Sequence, residues 1–418
     1  MSKIKIAVIP SDRAGVGWWR SVFPHVFLQQ MFPDEFDVHI DYEPKWDDDN
    51  YIKQFDIVHC HRTPCAFEKV EDLKKKLTSF GIPLISDIDD YFTPGKAHPA
   101  YYLVMDEKLP EKIISALKQA DYVTTTTKIF ADEIRKQGVN QNVVVFPNAV
   151  DGQAKQWTSN PEPSNGKVRI GWLGGSSHLS DLEILRSAFQ SLSYSHGDKI
   201  QTVLCGYDLR GTVTEVDQNG NKNNRPVQPL ETCWYKYEQI FTNNYKLVSD
   251  PDYVKFLMKF KQEKYPNDDK MEYRRVWTKP LSTYSLNYNL FDVSLSPVIT
   301  NDGKFNLCKS QLKVIEAGFH KKALICTDFG PYQIDMKHGE NGFLVNNNSG
   351  TKGWGYHMKK LIDNPQMIED FGNALYETVK DRYDIRTVST NRREFYKEVL
   401  NNFKVKNNKE LIEEINNK

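Results

Sequence analysis

The sequence has no unbroken apolar run of the roughly 18 residues that a membrane span requires, so no span is expected. It has no C-x-x-C pair. Its six cysteines, Cys60, Cys65, Cys205, Cys233, Cys308 and Cys326, are scattered, which argues against a zinc site or a disulfide framework and for a reducing, cytoplasmic setting. It also has no net charge. Lys plus Arg and Asp plus Glu each number 55, so no global field draws it to nucleic acid or membrane, and only local patches are left for that purpose. The opening M-S-K-I-K-I-A-V-I-P lacks a cleavage-like ending and reads as a first strand, not a signal peptide. His59 and His61 form an H-x-H without a third ligand nearby, so no metal site is expected.

What is present is the pattern of a large α/β protein. At 418 residues the chain is too long for one ordinary core, and two domains are expected. Apolar content of 39% and charged content of 26% suit a globular chain. Short Val- and Ile-rich runs at 5–10, 36–42, 56–61, 83–89, 122–126 and 143–147 read as strands. Helical patterns at 18–31, 67–80, 111–119 and 128–136 lie between them, which predicts a mainly parallel sheet covered on both faces. The stretch W-T-S-N-P-E-P-S-N-G-K, 157–167, reads as a linker. Strands are then expected at 168–173, 200–205, 291–296, 323–327 and 342–345, with a helix at 179–192. From 207 to 277 the rhythm is lost in an aromatic and basic stretch that reads as an insertion. Residues 355–417 are helical in pattern, broken by D-R-Y-D-I-R at 381–386.

Five motifs carry candidate chemistry. S-D-R-A-G-V-G, 11–17, follows the first strand, and Gly15 and Gly17 would let amides approach an anion. Its G-x-G lacks the third glycine of a dinucleotide fingerprint, and a plain tight turn is the alternative. G-W-L-G-G-S-S-H-L-S-D, 171–181, ends a strand in Gly174 and offers Ser176 and His178 to a diphosphate, with Asp181 one turn inside, placed either to favour the helix dipole or to orient His178. Ser as a simple N-cap is the alternative. Next, F-N-L-C-K-S-Q-L-K-V-I-E, 305–316, reads as a helical segment carrying Ser310 and, on one face, Lys309, Lys313 and Glu316, followed by a strand and a Gly330-Pro331 turn. A lysine suits a phosphate, and a glutamate accepts hydrogen bonds from a ribose diol. A solvated Lys–Glu face is the alternative. D-I-D-D, 87–90, places Asp87, Asp89 and Asp90 at a strand's C-terminal end, where open α/β sheets bind ligands. His61, ending the preceding strand, is a candidate for positioning an acceptor.

These segments resemble the nucleotide-sugar motifs of GT-B glycosyltransferases, especially the large retaining family 4 and its phage-encoded relatives. G-V-G-W-W-R-S-V-F-P is similar to the glycine, aromatic and arginine opening of phage-type members, which adds Arg20. The match at 171–181 is to G-x-x-x-H-x-x-D, and P-N-A-V-D at 147–151 is similar to a junction segment. The resemblance implies two Rossmann-like domains facing across a cleft. It sets 1–160 as the acceptor side, 161–380 as the nucleotide-sugar side and 381–418 as helices crossing back. It implies transfer from a nucleotide sugar, a UDP-sugar in this reading, to an acceptor hydroxyl with retention, with no metal or cofactor and no side-chain nucleophile. Asp87, Asp89, Arg20 and Lys309 are then catalytic, and Asp90, His61, Arg274 and Arg275 face the acceptor. Phage relatives include enzymes that glycosylate hydroxymethylated bases in DNA, so the resemblance implies 5-hydroxymethylcytosine in double-stranded DNA as one acceptor, which the basic aromatic stretch would grip in the host cytoplasm. A polysaccharide or lipid-linked glycan is the other acceptor. An epimerase or a non-catalytic sugar-binding protein of the same architecture is the alternative in class. The family places a second glutamate eight residues before the ribose-binding one. This chain has Cys308 there, so backbone or Asn306 would have to substitute.

Overall fold

The computed structural model describes residues 3–217, 220–243, 272–349 and 353–416. The first six strands are β1 (Ile4–Ile9), β2 (Phe36–Ile40), β3 (Ile57–His61), β4 (Leu84–Ile88), β5 (Tyr122–Thr125) and β6 (Val143–Val145). They form one parallel sheet in the order β2-β1-β3-β4-β5-β6. Alternate residues of a strand face opposite sides, so a sheet covered on both faces needs nearly continuous apolar strands. In β1, Ala7 and Ile9 enter one core with Val58, Cys60 and Leu84. That core is closed by α2 (Val70–Ser79), α3 (Leu109–Gln119) and α4 (Lys128–Lys136). Ile6 and Val8 enter the other core, with Leu28 of α1 (Phe23–Met31). Each such fully buried side chain contributes about 1.5–3 kcal/mol.

The second half repeats the plan with β7 (Val168–Leu173), β8 (Ile200–Tyr207), the β9–β10 hairpin (Thr212–Val216 and Lys222–Pro226), β11 (Tyr273–Trp277), β12 (Val293–Ser296), β13 (Ala323–Thr327) and β14 (Phe343–Val345). All but the hairpin form a second parallel sheet, β11-β8-β7-β12-β13-β14. Its core takes residues from α5 (Arg186–His196) and α6 (Trp234–Thr242). It also takes them from α8 (Trp354–Asp363) and α9 (Pro365–Val379), which follow α7 (Leu312–Phe319). The expected helix at 179–192 is two pieces, a short turn at Leu179–Glu183 and then α5.

Two compact units result. Unit 1 comprises Met1–Gly152, Asp302–Leu312 and Lys380–Lys418; unit 2 comprises Gln153–Asn301 and Lys313–Val379. Residues 302–312, expected with the second domain, pack with the first. Cys308 is fully buried in the unit 1 core, Ser310 Oγ accepts from Asn148 Nδ2 at 3.1 Å, and Gln311 Nε2 donates to Tyr383 Oη at 2.8 Å. The final helix α10 (Ile385–Asn416) lays Val388, Phe395, Tyr396 and Val399 into the second core of unit 1. There Tyr396 Oη sits 2.6 Å from His25 Nε2 and 2.7 Å from His59 Nδ1. Burial keeps both imidazoles well below their ordinary pKa. No helix among the described residues is long and apolar enough to cross a membrane.

The expected insertion also proves to be partly framework. Residues 273–277 are β11, the edge strand of the second sheet, with Tyr273 paired to Thr202 and Arg275 to Leu204. Trp234 and Tyr237 of α6 are core residues. The aromatic and basic residues expected between 244 and 271 lie outside the described residues.

Candidate active site

In each sheet the strand order reverses beside its first strand: β1 lies between β2 and β3, and β7 between β8 and β12. At such a switch point the loops leaving the C-terminal strand ends diverge and open a crevice. Both units carry a polar cluster at that place.

In unit 1 the cluster joins the ends of β1, β3 and β4. His61 is buried, with Nδ1 2.8 Å from Ser11 Oγ and Nε2 3.0 Å from Asp89 Oδ1. Arg62, in the left-handed region at φ 64°, reaches the same Asp89 oxygen at 3.4 Å. Burial opposes ionisation of Asp89, but His61 and Arg62 outweigh it and hold the carboxyl well below its usual range. Asp90 goes the other way, to about 6, because burial and the adjacent Asp89 charge both disfavour a second anion. Lys309 belongs here too. Its charge acts on Asp90, and its ammonium lies 4.8 Å from the centre of the Phe305 ring.

Three expectations for unit 1 are corrected. Arg20, expected at a leaving diphosphate, is 2% exposed, and its guanidinium is spent on protein partners. Nε and Nη2 bind Asp87 at 2.9 and 2.8 Å, while Nη1 binds Phe146 O at 2.8 Å and Asn148 Oδ1 at 3.0 Å. Asp87 is equally buried and takes a third bond from Thr124 Oγ1 at 2.6 Å, so it is a structural carboxylate and not a catalytic one. Burial raises the Asp87 pKa, yet the Arg20 charge wins and the group is held down. Arg20 reaches this place through a π-helical turn, Trp18–Val22. Finally, the Gly15 and Gly17 loop is no anion cradle. Asp12 Oδ1 accepts from Ala14 N at 2.7 Å and Gly17 N at 3.1 Å, placing a carboxylate where the anion would sit. Gly17 is needed for close approach, since a Cβ there would lie 2.0 Å from the Asp12 carbonyl oxygen.

In unit 2 the turn after β7 is open, with Gly175 and Ser176 exposed. Its geometry is set from below and from α6. A Cβ on Gly174 would fall 2.3 Å from the Trp172 ring. Tyr237 Oη accepts from His178 N at 2.9 Å and donates to Gly175 O at 3.3 Å. Cys233 Sγ lies 3.1 Å from Ser176 O. His178 Nδ1 donates to Asp181 Oδ2 at 2.8 Å, while Asp181 Oδ1 takes Ile299 N at 2.8 Å. That carboxylate thus ties the loop after β7 to the loop after β12 and fixes the imidazole tautomer, presenting Nε2.

Glu316 is 1% exposed on α7. It accepts from Tyr284 Oη at 2.5 Å, Tyr288 Oη at 2.8 Å and Lys313 Nζ at 2.9 Å. Spacing placed Lys309 on this helix with Lys313 and Glu316, but it lies outside it. α7 begins at Leu312, because Ser310 and Gln311 are held by Asn148 and Tyr383 outside it. Arg274 and Arg275, expected on DNA phosphates, are buried ion pairs on β11. Arg274 Nη1 binds Glu162 Oε2 at 2.7 Å, and Arg275 Nε binds the fully buried Glu238 Oε1 at 2.6 Å beside Tyr273 Oη. Sequence reasoning missed Ser11, Asp12, Tyr237, Tyr284 and Tyr288. Only the Tyr284–Tyr288 pair carried a signal, its four-residue spacing. Among the described residues no group of three His, Cys, Asp or Glu is arranged to hold a metal.

No protein-family model matches the sequence, and no curated protein matches it. Solved structures do match. HepE from Anabaena in complex with UDP and glucose superposes with a TM-score of 0.57 at 12% identity, over 94% of this chain and 100% of its own. HepE in complex with UDP-glucose matches equally broadly. Sucrose-phosphate synthase from Thermosynechococcus elongatus gives 0.57 at 12%, over 95% and 99%. A glycosyltransferase from Rickettsia africae gives 0.57 at 13%, over 96% and 99%. The fold is GT-B: two parallel six-stranded sheets, each flanked by helices.

Proposed function

We propose that this chain is a retaining glycosyltransferase that uses a nucleoside-diphosphate sugar, with UDP as the nucleotide. The observation that carries this reading is the open Gly174–Ser176 turn at the unit 2 switch point, beside His178 with its tautomer fixed by Asp181. Exposed backbone amides at a strand's C-terminal end are donors for a diphosphate as charge builds on it, and His178 joins them through Nε2 only as the imidazolium that Asp181 stabilises. The structural match to a UDP-glucose complex supports the same assignment. Glu316 would exchange one of its tyrosine or lysine partners for the ribose diol. In unit 1, Asp89 would align the acceptor hydroxyl. Its own low pKa makes it a better hydrogen-bond acceptor than a base. The leaving diphosphate then takes the hydroxyl proton, and no protein nucleophile is required.

Nothing in this scheme calls for a metal or cofactor, and transfer in excess chelator is expected to equal transfer without it. The DNA reading of the acceptor loses its support from Arg274 and Arg275, because both are buried against glutamates. The test is mass spectrometry of products from a panel of nucleotide sugars, offered with oligosaccharides and with hydroxymethylated DNA. Acceptor-dependent transfer with retained anomeric configuration is expected. Donor inversion without any acceptor would indicate an epimerase, and UDP binding without turnover a sugar-binding protein.

A further inference from the structure

Unit 1 holds a second polar feature on the same edge as the His61–Asp89 cluster. A cavity of about 450 Å³ opens between the loop after β2, the loop after β3 and the first turns of α2. That volume lies within the range of about 300–1,000 Å³ for small-molecule sites. Trp46 and Asp47 line it from the first loop, Lys69 from the second, and Asp72, Leu73 and Lys76 from the helix. The second loop starts at Arg62, the Asp89 partner, so its backbone runs from the candidate acceptor cluster directly to the cavity wall.

The walls are preformed. Trp46 Nε1 donates to Pro64 O at 2.8 Å, which fixes the indole plane. Lys76 Nζ donates to Trp46 O at 3.0 Å and pairs with Asp49 at 2.7 Å, which pins the first loop to α2. The Leu73 side chain, 5% exposed, belongs to the core beneath. Asp47 and Lys69 at the rim are exposed.

We propose that this cavity binds a neutral sugar residue of the acceptor; the inference rests on the glycosyltransferase reading. An aromatic plane accepts the apolar C–H face of a pyranose. Carboxylates accept from sugar hydroxyls and ammonium groups donate to them, so Asp47, Asp72, Lys69 and Lys76 can satisfy a polyol in both senses. Their charges cancel, two against two. A polyanion such as DNA would meet two carboxylates without a surplus of cations to neutralise its phosphates. The pocket therefore selects a glycan over nucleic acid.

The test uses the full chain. Neutral trisaccharides of gluco, galacto and manno configuration are titrated by saturation-transfer NMR and calorimetry, with a hydroxymethylated DNA duplex in parallel. At least one trisaccharide is expected to bind, and Trp46→Ala to weaken it about tenfold or more. Asp47→Asn and Lys69→Gln, both at exposed rim positions, should each weaken it about threefold. Melting curves check that the variants fold; if Trp46→Ala does not, the two rim variants decide. No trisaccharide binding, binding equal in wild type and variants, or duplex binding that falls in these variants would each overturn the proposal. UDP calorimetry separates the two readings. UDP binding without sugar binding overturns this inference alone, whereas Trp46-dependent sugar binding without UDP binding upholds it and overturns the donor assignment.

Discussion

Replacing Tyr237 with Phe removes one oxygen atom and tests whether the turn after β7 holds a diphosphate. The phenol closes a bridge over that turn, 2.9 Å from His178 N and 3.3 Å from Gly175 O. Phe keeps the ring contacts with Trp172 and Trp234, at centroid distances of 5.6 and 5.1 Å, so packing is preserved. The longer bond is weak, and the shorter is worth about 0.5–1.5 kcal/mol net. An orphaned amide raises the loss to about 1–3 kcal/mol. For a unit of this size each kcal/mol lowers the melting temperature by about 2–4 °C. If the turn binds UDP, the ordering that Tyr237 supplied must then be met by the ligand, and Kd should rise about tenfold. Calorimetry with UDP, read beside the melting curve, decides. A lowered melting temperature with an unchanged UDP Kd would mean the bridge is structural only and the diphosphate lies elsewhere.

Glu316→Gln should weaken UDP by about 1–3 kcal/mol through loss of charged hydrogen bonds, measured by calorimetry; unchanged affinity removes Glu316 from the ribose site. Asp87→Asn should destabilise the protein by about 3–5 kcal/mol in urea unfolding, since it leaves the buried Arg20 charge unpaired. Because the folded Asp87 pKa is depressed, its contribution is present above the unfolded value of about 3.9 and lost as pH falls through the lower folded value. Asp90 behaves oppositely. Its folded pKa is raised to about 6, so the folded state binds the extra proton and stability declines as pH rises from about 3.9 through about 6. Asp90→Asn should flatten that window and stabilise the protein at pH 7–8, as read from urea midpoints at several pH values.

The two sheets were readable because parallel strands covered on both faces must be continuously apolar, and I-K-I-A-V-I or A-L-I-C-T permits little else. Side-chain pairing was not readable in the same way. Arg275 looked like a surface cation because its neighbours in sequence are aromatic and basic, while its partner Glu238 lies 37 residues away on α6. Arg20 and Asp87 each fit a catalytic motif, yet they are 67 residues apart and neutralise one another. The Gly15–Gly17 turn failed for a local reason: Asp12, five residues before Gly17, supplies the anion itself. The position of Ser176 and His178 on the loop after β7 was readable because that loop follows directly from a strand end, where geometry is set by the chain alone.

Unit 1 is assembled from three separate pieces of chain, with unit 2 spliced between them. On a ribosome, the face of its sheet bearing Ile6, Val8 and Ile57 would emerge long before the helix carrying Phe395, Tyr396 and Val399 that covers it. That apolar face must wait until residues 395–399 have been made, whereas unit 2 is complete once Val379 has emerged. Vectorial synthesis would thus reverse the order in which the units appear in the sequence. The second sheet can be finished first, while one face of the first sheet stays uncovered until Phe395, Tyr396 and Val399 arrive.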